Sequence, residues 1–106
     1  MVMEEIIESY NEYLTKLPGG CLAIATLLRE GDLHGALSSI KDFSEGTGWI
    51  MQVNEKLAAV STIEKIDFKR IQEFLLEINS GLEIQDFVLV ADLFEYEIAP
   101  FFECTN

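Results

Sequence analysis

Between Leu33 and Val60 a stripe that is apolar except at Thr47 and Asn54 recurs every three or four residues with no proline in it: Leu33, Ala36 with Leu37, Ile40, Phe43, Thr47, Ile50, Val53 with Asn54, and Leu57. That spacing puts them on one face of an α-helix, whereas a half-buried strand needs strict alternation. A helix with such a stripe must bury it against other elements, which restricts the chain to helix-packed architectures. Gly31 is placed to end a preceding helix and Asp32 to cap this one. Gly46 and Gly48 lie within the stripe. Each costs about 1 kcal/mol relative to alanine in a helix interior. They predict either a bend or the close approach of another helix.

The same periodicity governs the rest. Met3, Ile6, Ile7, Tyr10, Tyr13, Leu14 and Leu17 share one face, with Glu4, Glu8 and Glu12 opposite. Pro18-Gly19-Gly20 predicts a break or kink, because proline disfavours helix at the residue before it. Cys21–Glu30 then reads as a separate, nearly all-apolar and buried helix. Ser61–Lys65 reads as a loop. Asp67 is a candidate N-cap for a helix bearing Phe68, Ile71, Phe74, Leu75, Ile78 and Leu82. Asp86 is a candidate N-cap for the last helix, which Pro100 ends or distorts. The expected fold is a single all-α domain over residues 1–106, an up-and-down bundle of four to five helices with short connections.

Charge narrows the function classes. Among 106 residues, 19 acids against 7 bases give a net charge of −12. Phosphate neutralisation requires the opposite balance, so nucleic acid and anionic lipid are disfavoured partners. The charge is segregated. Residues 1–15 carry −4, residues 16–70 are neutral, and residues 71–106 carry −8 with no lysine or arginine. Such a distribution suits either solubility or an acidic face offered to a basic partner. No apolar run reaches the roughly 18–20 residues of a membrane span. The acidic start, Met-Val-Met-Glu-Glu, is unlike a signal peptide, so a cytoplasmic location is expected.

The stretches Ile24–Asp32 and Glu45-Gly46-Thr47-Gly48-Trp49-Ile50, with the tail from Asp86 to Pro100, resemble a family of small acidic helical proteins of Firmicutes. That family has no established activity, so the resemblance implies a helical fold and assigns no catalytic residue. Length, acidity and helix count are also similar to small bacterial export chaperones, such as those of flagellar secretion.

Tests for chemistry find no catalytic or cofactor-binding residue to nominate. A di-iron bundle needs Glu-x-x-His motifs on two helices. The single histidine, His34, follows Glu30 at the wrong interval and is expected at the surface. No metal or organic cofactor is expected. Cys21 reads as a buried small hydrophobe and Cys104 as an exposed thiol. Gly46-Thr47-Gly48 lacks the lysine and flanking strand of a phosphate loop. The carboxylate pairs Asp92/Glu95 and Glu73/Glu77 read as solvated faces. Trp49, beside two glycines, is expected to be largely buried against a neighbouring helix.

The last helix carries the most information. At 100° per residue Phe87, Val90, Ala91, Phe94, Ile98, Phe101 and Phe102 fall within an arc of roughly 40–160°. A second apolar arc, at roughly 280–340°, holds Leu89, Leu93, Tyr96 and Pro100. A helix apolar on two sides is central to its bundle or shared with a partner. Leu89, Leu93 and Tyr96 are therefore the candidate interface. The leading expectation is a non-enzymatic interaction module: an acidic adaptor, chaperone or regulator that forms a homodimer or binds a protein with a basic surface. The alternative is a small-ligand-binding or enzyme-like bundle with a pocket near Trp49.

Overall fold

The computed structural model describes residues 3–60 and 66–103. The chain forms α1 (Met3–Glu30), α2 (Leu33–Val60), α3 (Phe68–Glu83), and a final helix made of α4 (Phe87–Asp92), a π-helical segment (Leu93–Ile98) and α5 (Ala99–Glu103). Four helices thus alternate up and down, and among the described residues there is no strand. At 1.5 Å per residue α1 spans about 42 Å, which matches the longest dimension of the molecule, 42 Å. The expected Ser61–Lys65 loop lies outside the described residues.

α1 is one helix, not two. Its buried side chains are Tyr10, Leu14, Leu17, Cys21, Ile24, Ala25 and Leu28. From Tyr10 to Leu28 the intervals run four, three, four, three, four, so the stripe passes through Pro18 without losing register. Proline removes one backbone bond and crowds the preceding turn. Burial on both sides of it holds the helix together, as tertiary packing commonly does for helices. The expected break at Pro18-Gly19-Gly20 is therefore absent. Nor is the Cys21–Glu30 half buried all round, since Leu22 and Ala23 face solvent.

α2 continues the same rhythm through Ala36, Ile40, Phe43, Thr47, Ile50, Asn54 and Leu57. The two stripes close on each other in an antiparallel hairpin. Of its two buried polar members, Thr47 and Asn54, Asn54 is the one that bonds across to α1. The Asn54 Nδ2 donates to the Tyr10 hydroxyl at 2.7 Å, and its Oδ1 accepts from the Ile66 amide at 3.1 Å. One buried amide thereby ties α1, α2 and the entry to α3 together, as a lone polar residue does in a coiled-coil seam. Gly46 supplies the close approach: a side chain there would collide with the Tyr13 hydroxyl. Beside Gly48 the space is open.

Both tight connections use one device. Gly31, at φ +82°, donates to the Leu28 carbonyl, and Asp32 donates to the Leu27 carbonyl. Gln85, at φ +58°, donates to Leu82, and Asp86 donates to Gly81. These are Schellman closures. In each, the following aspartate caps the next helix: Asp32 accepts from the Gly35 amide, and Asp86 from the Leu89 amide. Asp67 caps α3 by accepting from the Arg70 amide.

Candidate functional site

The final helix packs on α1 along its length and on α3, where Gly81 lets Val90 approach and Phe74 meets Phe101 edge to face. Its distinguishing feature is the π segment. Pro100 has no amide hydrogen and its ring crowds the carbonyl four residues back. In the turn just before it the ladder widens, and the Ala99 amide donates to Phe94, five residues back. The i→i+5 pattern lowers the rotation per residue. Leu93, Phe94, Ile98 and Ala99 consequently all face the core. Phe94 and Phe102 meet Phe43 of α2 edge to face, with centroids 5.2 and 6.3 Å apart.

This widening divides the candidate interface. Leu93 is only 4% exposed, whereas Leu89 is 43% and Tyr96 66% exposed. On a regular wheel Leu93 stands at about 340°, the edge of the second arc nearest Val90, and it packs inward where the π segment begins. Leu93 is thus a core residue, and the strip of three is not continuous on the surface. Three exposed apolar residues lie close together in sequence at the α3–α4 hairpin, Ile84 at 71%, Val88 at 67% and Leu89, with exposed Leu76 earlier on α3; others, Leu22, Leu37 and Trp49, are on α1 and α2. The sequence signal for Val88 is its wheel position, about 200°, outside both apolar arcs.

Acids surround that patch unevenly. Arg29 and Arg70 are the chain's two arginines. Arg29 binds Asp92 and Glu95 at 2.9 and 2.8 Å, and Arg70 binds Glu73 and Glu97 at 3.1 and 3.0 Å. The Asp92/Glu95 pair is thereby tied to α1 and Glu73 to its own helix, while all three carboxylates, and Glu77, keep the solvent exposure expected of them. Arg70 also lies over the Phe74 ring, 4.2 Å from its centroid. By contrast Glu77, Glu83 and Asp86 make no ion pair among the described residues. Ile84, Val88 and Leu89 thus lie in the same hairpin as acids that make no ion pair among the described residues.

Between them α1 and α2 enclose a half-open groove of about 290 Å³. Leu17, Cys21, Ile24 and Phe43 line it below, Tyr13 closes one end, and Lys16 and Asp42 are at its rim. Trp49 is not in the groove. It is 38% exposed, not buried as expected, because Thr47 and Ile50 take the inward positions on either side of it. It packs against the Tyr13 ring edge to face, centroids 5.9 Å apart. Burial pushes the Cys21 thiol up to about 12, so it is a neutral, unreactive floor. Burial, then Cys21 and Asp42, raise Tyr13 as well.

His34 is exposed, and Cys104 lies outside the described residues. Among the described residues no group of three or more His, Cys, Asp and Glu side chains is placed to hold a metal ion. No described helix is long and apolar enough to cross a membrane. No curated protein and no solved structure matches the chain significantly. A family profile does match, over residues 5–105. The chain belongs to the family described as domain of unknown function DUF8042.

Proposed function

We propose that the protein is a non-enzymatic interaction module, an acidic adaptor, chaperone or regulator that docks a basic-surfaced protein on its α3–α4 hairpin. One observation carries this reading: Ile84, Val88 and Leu89 are exposed next to Glu83 and Asp86, and no base pairs with those acids among the described residues. Apolar area supplies affinity, and the flanking charge selects and steers a cationic rim. Twofold self-association through the same hairpin is the competing arrangement. It would bring Glu83 and Asp86 of two copies together, and Leu93 contributes no area to it. Charge therefore favours a basic partner over a second copy. A cytoplasmic location goes with this reading, supported by the free thiol at Cys21 where a secreted domain of this size would carry disulfides.

Affinity capture run in parallel with wild-type and Ile84→Ser/Val88→Ser protein tests the reading. Basic-surfaced proteins retained by the wild type at low salt and lost by the double variant are expected. Equal retention by both proteins contradicts it.

A further inference from the structure

We propose that residues 3–17 of α1 form a strap that opens as one unit about Pro18-Gly19-Gly20 while the rest of the bundle stays folded. This does not rest on the hairpin reading, because the strap lies toward the end of the molecule opposite the α3–α4 turn. The closed structure leaves two consecutive glycines without a role. Gly31 has a positive φ, and Gly46 and Gly81 each admit a neighbouring side chain, Tyr13 and Val90. Gly19 and Gly20 lie inside a helix, and a Cβ on either would meet nothing within 4 Å. Neither packing nor backbone geometry calls for them, and each weakens the helix relative to alanine. Gly48 also has open space, but only Gly19 and Gly20 follow a proline. Pro18 has no amide to donate to the preceding turn. The backbone ladder is therefore interrupted where it meets the two positions that unwind most readily. Proline and glycine have the lowest helix propensities, so α1 divides most easily here.

The two halves are held unequally. Beyond the hinge, residues 21–30 bury Cys21, Ile24, Ala25 and Leu28, are clamped to the last helix through Arg29, and run into the closure at Gly31. The strap is longer, yet it buries Tyr10, Leu14 and Leu17, with Ile6, Ile7 and Tyr13 only partly covered. Its outer face carries Glu4, Glu8 and Glu12 at intervals of four, with Glu5 among them. Like charges at that spacing destabilise a helix. Lys16 pairs with Glu12 at 3.0 Å, and among the described residues no ion pair reaches Glu4, Glu5 or Glu8. Against α2 the strap is held by Asn54, which donates to the Tyr10 hydroxyl, and by the seat of Tyr13 over Gly46. Opening uncovers that stretch of α2, from Gly46 to Asn54, and leaves the Arg29 clamp in place.

Native-state amide exchange of the full chain, followed by nuclear magnetic resonance, tests this. Amides 8–17 should share one level of protection, at least about tenfold below that of amides 24–30, with the step at Pro18 inside a single helix. Gly19→Ala/Gly20→Ala has room for both methyl groups. It should raise the protection of amides 8–17 by about tenfold or more, because alanine resists unwinding at the hinge. Glu8→Gln removes the centre of the repulsion and should raise the same amides by about twofold. Equal protection on the two sides of Pro18 overturns the proposal, since α1 then opens only with the whole protein. A gradient that climbs steadily from residue 8 and does not respond to the alanine pair also overturns it, since that is fraying from the end.

Discussion

Arg29 reaches Glu95 with two of its nitrogens, Nε at 3.2 Å and Nη2 at 2.8 Å, across 66 positions of sequence. The same Nη2 donates to Asp92 at 2.9 Å. The bond therefore spans the point where the last helix changes from α to π geometry. Arg70 does the equivalent from α3, through Glu97. Exposed ion pairs are individually weak. Here the geometry is forked and converges on one segment, so the pairs set the orientation of the widened turn more than they add stability.

That orientation decides what a charge at position 93 does. Leu93→Glu puts a carboxylate into a site that is 4% exposed. It should destabilise the fold by at least about 3 kcal/mol, through lost packing and an unpaired buried charge. Leu89→Glu, on the exposed flank, should cost about 1 kcal/mol or less. Urea unfolding of the two variants checks this. Equal stability would mean that Leu93 is on the surface.

Glycine substitutions separate a close approach from open space. Gly46→Ala meets the Tyr13 hydroxyl. It should cost about 1–3 kcal/mol although alanine favours helix, and should shift Trp49 fluorescence through the displaced ring. Gly19→Ala meets nothing and should gain about 1 kcal/mol. Thermal melts of the pair give the comparison; a stabilised Gly46→Ala protein would contradict the Tyr13–Gly46 packing.

Much of this fold is legible in the chain because α1, α2 and α3 keep one rotation per residue. Their stripes and the caps at Asp32, Asp67 and Asp86 are local signals. Pro18 is misleading: its local cost is real, but the stripe from Leu17 to Cys21 shows that burial on both sides outweighs it. The π turn is not legible, since a fixed 100° wheel assumes one rotation throughout, and Leu93, at the inner edge of the second arc, is grouped with Leu89 and Tyr96 although it is buried. The arginine clamps are equally hidden, because partners 63 and 66 residues apart leave no periodic trace. The groove is hidden too, because its lining comes from two helices that only the register of the hairpin brings together.

Stability should fall in alkali in a defined order. Burial raises Cys21 from 9.0 to about 12. The folded state thus holds a proton that the unfolded chain has lost, so stability is complete below pH 9 and disappears as pH rises through about 12. Tyr10, raised by burial against an opposing hydrogen bond from Asn54, and Tyr13 add losses of the same sign above their ordinary value of 10.0. Urea midpoints measured from neutral pH to about pH 11 should decline. The decline should begin later in Cys21→Ala. An identical onset in both proteins would contradict a buried thiol.

The most direct test of the interaction reading is a photo-crosslinking residue at position 88, with a second at Ser38 on α2 as control, used in the cells that make the protein. Position 88 should capture a protein with a basic surface. The adduct should weaken when the lysate is crosslinked at high salt, and position 38 should not yield it. Capture of a second copy of the chain from position 88, strengthened by salt, would contradict the account. So would an adduct formed equally well from both positions.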